Sequence, residues 1–429
     1  MNEFAYTIGV QAYVYGYPTM DLYRTFWENC LDPDRGHDHS FNEFNHSRQL
    51  TTPADTWVVT PNSDTLYSRA FLDLTNEPVI LQIPPVPDRS YWFPIGDMYH
   101  SLNALLAWNT VGEKGGAYAL CPPTFSGLLP DGVERVDVRT PFAWMVGRYT
   151  VQDEADVPAV NALQDQTHLI PLSQWGAAPS RRPTDPSRYP TFTFEGLQDP
   201  AAYFTTLNEM LRRNPPLARD EGLLAFFSEI GLHPRQRFDW DALDADTQAA
   251  LTRATQAGHA IVVENMRTAP TVVNTWLEAI LDADLGHKPG LRAGGAMLGL
   301  LYSQKEASTY HVGNVDSTGV QLDGAHAYTL RLDPPPPVDA FWSLTIYSAA
   351  TRLYVANEID RYAIGDRTPG VRYGEDGSLD LLIQHDRPDD TANWLPAPAE
   401  PFYLILREYS PRAPILTRDW VPPVIERVG

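Results

Sequence analysis

The residues best suited to chemistry lie around Asn62, Asp64 and Tyr67, with Asn45 and His46 a short distance upstream. In a side-chain acid–base mechanism, Asp64 would act as general base, Tyr67 as general acid and His46 as either. Asn45 and Asn62 would hold the substrate through amide hydrogen bonds. The sequence therefore offers the groups needed to hydrolyse, eliminate from or isomerise a small polar metabolite.

The strand predicted for this segment determines which of these side chains can lie in one site. If residues 62–69 form a strand, side chains of one parity share a face. Asn62 and Asp64 would then point one way and Tyr67 and Arg69 the other, so a single site would need a bulge. The structural alternative is that Asn62 and Asp64 cap a turn by hydrogen bonding to backbone groups.

Three further residues are candidates for substrate binding. Arg148 could fork onto a substrate carboxylate or pair with Asp165. Tyr13 could form a phenolic cleft with Tyr67, or lie in the core beneath a helix that packs on a sheet. Trp394 could stack on a sugar or another ring, or serve in packing.

A metal site is a weaker hypothesis and no other cofactor is expected. His37, His39 and Glu43 have the spacing H-x-H-x-x-x-E, which is similar to the metal-binding motif of cupin jelly rolls and suits a divalent transition metal. The segment reads as a polar loop, and no second histidine motif follows. There is no G-x-G-x-x-G after a strand, Walker loop or G-x-S-x-G elbow, which argues against nucleotide cofactors and a serine-hydrolase mechanism.

Short apolar runs separated by proline- and glycine-rich turns predict β-structure in both halves of the chain. The first set runs from residue 57 to 175 and the second begins near 291. We therefore expect a first β-domain with an N-terminal helix (1–175), a linker and helical region (176–290), and a second β-domain (291–429).

Helical patterns fill the remaining segments. Residues 2–28 predict a helix that Gly16 and Pro18 kink or split. Asp199 starts a second helix, and further helices are predicted over EGLLAFFSEIGL, over DADTQAALTRATQAGHAIVVENM and over NTWLEAILDADLG (274–286).

Composition indicates a folded, acidic protein. Of the 429 residues, 43% are apolar and 11% aromatic, enough for a substantial core with a preference for sheet. The net charge of −22 makes nucleic acid and anionic membranes poor partners. The N-terminus does not resemble a signal peptide, and two cysteines are too few for a disulfide scaffold. We expect a cytoplasmic, homo-oligomeric protein with a small-molecule substrate.

Several motifs resemble a known two-domain family. They are residues 60–68 with 71–74, residues 147–148 with 158–166 and 171–173, and residues 337–345 with 364–370 and 393–398. In this order they resemble bacterial proteins that join domain of unknown function 1254 to domain of unknown function 1214. The resemblance implies a double jelly roll, mainly β with a helical insert, and it implies no activity because none is assigned to the family.

Three functions remain open from the sequence. The leading hypothesis is an enzyme that uses side-chain acid–base chemistry on a small polar metabolite. The alternatives are a non-catalytic protein, either glycan-binding or a self-assembling capsid-like shell unit, and a metal-dependent jelly-roll enzyme.

Overall fold

Two β-sandwiches and a helical layer make up the part of the chain that the structure, a computed structural model, describes: residues 2–35, 40–55, 60–177, 183–279 and 282–428. The α-helices there are α1 (Glu3–Phe26), α2 (Val157–Asp165), α3 (Pro200–Arg213), α4 (Glu221–Phe227), α5 (Ala245–Thr268), α6 (Pro289–Leu298) and α7 (Ala413–Leu416). A π-helical turn follows α1 at Trp27–Leu31. Short 3₁₀ turns occupy Pro33–Arg35, Glu154–Asp156, Leu172–Gln174, Pro186–Arg188, Glu195–Leu197, Ala218–Asp220 and Ser228–Ile230.

The helical layer confirms most of the helices predicted from sequence. Asp199 caps α3 by accepting a hydrogen bond from the Ala202 amide, and Asp244 caps α5 through the Thr247 amide. Helix α1 continues through Gly16 and Pro18, so the predicted split does not occur. It packs against α3, α5 and α6 and therefore belongs to the helical layer, whereas we had placed it with the first β-domain.

Close contact between α1 and α5 depends on Gly258, and this gives a testable consequence. A Cβ atom at residue 258 would lie 2.8 Å from the Cβ of buried Tyr13, so Gly258→Ala should destabilise the protein by about 1–3 kcal/mol. Gly222 in α4 has open space around it, and Gly222→Ala should instead stabilise by about 0.4–1 kcal/mol. Urea denaturation of both variants checks this. Equal shifts of the same sign would contradict the packing argument.

The N-terminal sandwich contains two sheets. Its strands are β1 (Asn45–His46), β2 (Thr65–Asp73), β3 (Val79–Ile83), β4 (Tyr91–Asp97), β5 (Leu102–Ala107), β6 (Gly116–Cys121), β7 (Val133–Asp137), β8 (Phe142–Thr150) and β9 (His168–Pro171). Sheet I has the order β1–β2–β8–β4–β5 and sheet II the order β7–β6–β3–β9. Alternate residues such as Leu66 and Leu72 of sheet I pack with Leu81 and Leu120 of sheet II.

The C-terminal sandwich follows the same plan. Its strands are β10 (Thr271–Val273), β11 (Trp276–Glu278), β12 (Ser308–Gly313), β13 (Tyr328–Leu332), β14 (Val338–Ser348), β15 (Ala363–Gly365), β16 (Leu379–Gln384), β17 (Trp394–Pro396), β18 (Phe402–Pro411) and β19 (Glu426–Arg427). Sheet III has the order β10–β11–β12–β18–β14–β15 and sheet IV the order β17–β16–β13–β19. The sheet thus begins at Thr271, ahead of the predicted boundary at 291. The described residues of 274–286, where a helix was predicted, contain strand β11 and no helix.

The two sandwiches share one strand order. Adding ten to each label converts β1–β2–β8–β4–β5 into the run β11–β12–β18–β14–β15, and β7–β6–β3–β9 into β17–β16–β13–β19. The described strand pairs are antiparallel except for one parallel pair in each sandwich. These two pairs occupy the same position in the strand order, since β6 runs parallel to β7 and β16 runs parallel to β17. The two sandwiches are therefore structural repeats of one another within the chain. The sequence did not reveal this relationship.

The outer face of sheet I, the face turned away from sheet II, contacts two different neighbours. Phe71, Trp144 and Val146 pack into the helical layer. Trp92 packs against Phe341 and Tyr409 of sheet III. The two sandwiches therefore meet through sheets I and III, beside the helical layer.

Candidate functional site

The loop that contains Asn62 and Asp64 lies between the two sandwiches. The Asn62 side-chain oxygen accepts a hydrogen bond from the Asp64 amide at 2.6 Å, so Asn62 does cap a turn. Its amide nitrogen donates to the Tyr409 hydroxyl at 2.6 Å. The carbonyl of Pro61 accepts hydrogen bonds from the Tyr347 and Tyr354 hydroxyls. This loop therefore joins the N-terminal sandwich to sheet III.

Asp64 is bound to the C-terminal sandwich on both carboxylate oxygens. The Ser343 hydroxyl donates to Oδ2 at 2.6 Å, and Arg367 Nη2 lies 3.4 Å from Oδ1. Asp64 is buried, and strand β2 begins only at the next residue. In this position the carboxylate holds the loop in place, and its predicted role as general base is untested.

A cavity opens beside this loop, where sheet I meets residues 300–301. We call it the junction cavity. Its volume is about 670 Å³. Five of the residues predicted to form the site line it, namely Asn45, His46, Asn62, Tyr67 and Arg148, and Arg69 lines it as well.

Tyr67 and Arg148 form the centre of the site. They are direct cross-strand partners on β2 and β8, and their side chains share the outer face of sheet I. The Arg148 guanidinium carbon lies 5.3 Å from the centroid of the Tyr67 ring. Asn45 is the cross-strand partner of Arg69 at the β1 edge of the same sheet. The strand pleat thus gathers Tyr67, Arg69 and Arg148 without a bulge.

Arg148 is buried, and no carboxylate of the described residues forms an ion pair with it. Its Nη1 donates to the Ser303 hydroxyl, and Nε has no hydrogen-bond partner among the described residues. Burial by itself would lower the pKa of Arg148, but the nearby phenol oxygens of Tyr310, Tyr67 and Tyr409 raise it, so the guanidinium stays charged. The alternative pairing with Asp165 does not occur, because Asp165 forms an ion pair with Arg48.

His46 also lines the cavity, and its imidazole contacts Ser68 and Phe44. Its Nδ1 lies 2.8 Å from the Ser68 hydroxyl, its cross-strand partner, and its ring stacks on Phe44. Ser68 follows Tyr67 on β2 and therefore points to the opposite face of sheet I. His46 and Tyr67 therefore approach the cavity from different faces of the strand pair, although both line it.

Tyr13 and Trp394, also predicted to bind substrate, are not among the described residues that line the junction cavity. Tyr13 is fully buried in the helical layer, where its ring stacks on Tyr203 at 4.2 Å and its hydroxyl donates to the Leu197 carbonyl. Trp394 is 1% exposed, and its indole nitrogen donates to the Gln384 carbonyl. Tyr13 therefore serves in packing, whereas Trp394, although buried, lines a separate cavity of about 680 Å³ with Asn357 and His385.

The predicted metal ligands are only partly within the described chain. His37 and His39 lie outside it, and Glu43 accepts a hydrogen bond from the Ser40 amide at 3.3 Å. Among the described residues, no group of three or more His, Cys, Asp or Glu side chains is placed to hold a metal ion.

The sequence did not identify the residues that the C-terminal half contributes. Tyr310 on β12 pairs with Arg407 on β18 just as Tyr67 pairs with Arg148, at the corresponding register of the repeat. The Arg407 guanidinium is occupied, because its two Nη atoms donate to the hydroxyls of Thr345 and Tyr347, each at 2.8 Å. One Tyr and one Arg are too short a motif to recognise in the sequence. The shared strand order of the two sandwiches identifies Tyr310 and Arg407 as the counterparts of Tyr67 and Arg148.

One comparison with a solved structure agrees with this architecture. The chain matches the VPA0106 protein of Vibrio parahaemolyticus, whose crystal structure has 26% sequence identity and a TM-score of 0.77 over 99% of this chain and 100% of that one. It also matches an uncharacterised protein of Burkholderia cenocepacia, with 12% identity and a TM-score of 0.48 over 99% of this chain and 94% of that one. No curated protein matches. None of the described helices is long and apolar enough to cross a membrane.

Two family matches cover the β-domains in the predicted order. Residues 41–171 match the family described as "Protein of unknown function (DUF1254)", and residues 307–413 match "Protein of unknown function (DUF1214)". The first match contains Tyr67 and Arg148, and the second contains their counterparts Tyr310 and Arg407. The chain therefore belongs to the two-domain family that joins a DUF1254 domain to a DUF1214 domain.

Proposed function

We propose that this protein is an enzyme that acts on a small polar metabolite in the junction cavity, with Tyr67 as the proton-transferring group. The observation that carries the proposal is the half-buried Tyr67 phenol beside the buried, charged Arg148 in a cavity of about 670 Å³. Cavities of roughly 300–1,000 Å³ that combine apolar walls with a few convergent polar groups are typical of small-molecule sites.

Each residue of the site has a separate part in the proposed chemistry. Tyr67 exchanges a proton with the substrate, and Arg148 stabilises negative charge that develops on the substrate or on the phenol oxygen. Asn45 contributes to substrate binding. His46 supplies a second acid or base at the β1 edge, since it also lines the cavity. Asp64 acts as a positioning residue through the loop that holds Asn62.

Substitution of Tyr67 tests this proposal. Purified protein is incubated with a mixture of small polar metabolites, and mass spectrometry identifies any compound that is consumed. On that compound Tyr67→Phe should lower kcat about a hundredfold with little change in KM, because only the proton-transferring hydroxyl is removed. Tyr362→Phe is the matched control, since the Tyr362 hydroxyl donates to Asp360 and lies outside the cavity lining. Equal turnover by Tyr67→Phe and the parent protein would reject the proposal.

The finer description of the fold is also a proposal. We propose that each sandwich is a variant jelly roll, and the support is that each consists of two facing sheets with strands exchanged between them along the chain. The parallel pairs β6–β7 and β16–β17 are departures from a wholly antiparallel roll. An experimental structure with the same connections as established jelly rolls would support this description.

A further inference from the structure

We infer that the metabolite bound in the junction cavity is a small organic carboxylate, and that Arg148 binds its carboxylate group. The inference rests on the proposed function of the same cavity and adds the chemical class of the ligand. The starting observation is that the described residues satisfy only part of the hydrogen-bonding capacity of the Arg148 guanidinium.

Burial of Arg148 is the first argument. A buried charge is costly unless ion pairs or hydrogen bonds compensate it. Arg89, also largely buried, contacts the carboxylates of both Asp88 and Asp156. Arg148 is 7% exposed, yet no described carboxylate lies within ion-pair distance, and its hydrogen bonds to Ser303 and Tyr67 go to neutral hydroxyls. A bound anion would supply the missing compensation.

The geometry of the guanidinium is the second argument. Nη1 is directed to Ser303, and Nε has no partner among the described residues. Nε together with an adjoining Nη forms the side-on edge with which arginine binds a carboxylate through two parallel hydrogen bonds. The phenol of Tyr67, next to this guanidinium, can donate a further hydrogen bond to the same carboxylate.

The repeat offers an internal comparison. Arg407 occupies the corresponding register position, but Thr345 and Tyr347 occupy its guanidinium, and Arg407 does not line the junction cavity. The chain can therefore satisfy an arginine at this position with its own hydroxyl groups, as it does in sheet III. At Arg148 it leaves the buried Nε without a partner among the described residues, in a side chain that lines the cavity.

The charge of the cavity lining agrees with an anionic ligand. The protein carries a net charge of −22, but Arg69 and Arg148 line the cavity, as does Arg48, which is paired with Asp165. Asp55 is the carboxylate in the described lining. Arginines therefore outnumber carboxylates in the described lining, although the protein as a whole is acidic. The described lining contains neither lysine nor a helix N-terminus, two common elements of phosphate sites, and this favours a carboxylate.

The test measures binding of defined anions to the full-length protein by titration calorimetry. The probes are malonate, succinate and benzoate, with inorganic phosphate as the other anion and malonamide as the neutral analogue. We expect at least one carboxylate to bind more tightly than phosphate and malonamide. Arg148→Met should weaken that carboxylate by at least about 30-fold, and Arg148→Lys should weaken it less because the charge remains but the fork is lost.

Arg407→Lys is the matched control, because it makes the same change at the corresponding position outside the cavity, and its Kd should stay within about threefold of the parent value. If Arg148→Met does not fold, as judged by circular dichroism, Arg148→Lys decides the result. Carboxylate affinity that is unchanged in the Arg148 variant, tighter binding of phosphate, or binding of malonamide alone would overturn the inference.

Tyr67→Phe separates this inference from the proposed function. Carboxylate binding that depends on Arg148, with turnover unchanged in Tyr67→Phe, would reject the acid–base role and keep the ligand class. Loss of turnover in Tyr67→Phe on a neutral substrate, with no carboxylate bound, would reject the ligand class and keep the acid–base role.

Discussion

Replacement of His311 by leucine is expected to lower the free energy of unfolding by about 3–5 kcal/mol. His311 Nδ1 lies 3.0 Å from Glu408 Oε1, and the Thr309 hydroxyl donates to Oε2 at 2.9 Å. Glu408 is 0% exposed, so the His311→Leu variant would keep a carboxylate in the protein interior without its cationic partner. Urea denaturation, monitored by tryptophan fluorescence, measures the change.

The double variant shows whether the stranded carboxylate is the cause. In His311→Leu with Glu408→Leu no buried charge remains, so much of the lost stability should return. Thr309→Val, which removes only one hydrogen bond to the same carboxylate, should cost about 1 kcal/mol. If the double variant is no more stable than His311→Leu alone, the loss comes from packing and the ion-pair explanation fails.

The pH dependence of stability offers an independent measurement on the same pair. Burial by itself would lower the pKa of His311, but the Glu408 carboxylate raises it above its ordinary value, with Glu278 adding to the effect and Arg418 opposing it. A raised pKa in the folded state means that the contribution is fully present below the unfolded value of about 6.5. It is lost as pH rises through the folded pKa. The stability difference between parent and His311→Leu should therefore shrink as pH rises above about 6.5, and a difference that grows would contradict the assignment.

Helices with local start signals could be predicted from the sequence. Asp199 and Asp244 each accept a hydrogen bond from an amide three residues later, and such capping depends only on neighbouring residues. The left-handed Gly231, at φ 85°, ends the helical turn after α4 for the same local reason. These features need no knowledge of the rest of the fold.

The segment 274–286 shows where local reasoning fails. Its apolar spacing suits a helix, but Trp276 is fully buried in the C-terminal sandwich core and Leu277 pairs with Val312 of β12. Pairing across more than 30 residues decided the structure there, and periodicity within a short window does not report such pairing.

The candidate site could be predicted only to the extent that one sandwich forms it. Asn62, Tyr67 and Arg148 come from a single β-domain, and alternation along β2 correctly placed Tyr67 with Arg69. Ser343 and Tyr409, which hold Asp64 and Asn62, lie roughly 280–350 positions further along the chain. Contacts between the two sandwiches have no local signature, so Asp64 looked like a free general base.

Replacement of Trp92 by alanine is expected to cost about 3–5 kcal/mol and to loosen the junction between the two sandwiches. Trp92 is 1% exposed on the outer face of sheet I, with ring-centroid distances of 5.5 Å to Tyr409 and 6.4 Å to Phe341. Its indole nitrogen donates to the Ser410 hydroxyl at 3.2 Å. Removal of the ring leaves a cavity between sheets I and III, beside the stacked rings of Phe341 and Tyr409.

Differential scanning calorimetry distinguishes loss of the junction from loss of general stability. Hydrogen bonds from Asn62 to Tyr409 and from Ser343 to Asp64 remain in Trp92→Ala, but each contributes only about 1–3 kcal/mol, so the aromatic contact should dominate the coupling. We therefore expect the heat-absorption peak to broaden or divide as the sandwiches begin to unfold separately. Trp175→Ala is the matched control, because Trp175 packs on sheet II away from the junction and its loss should shift one undivided peak. If both variants keep a single peak of unchanged width, the aromatic contact does not dominate the coupling. The two sandwiches are then coupled chiefly through the hydrogen bonds of the loop with Asn62 and Asp64, or through the helical layer that contacts sheet I, because both remain in Trp92→Ala.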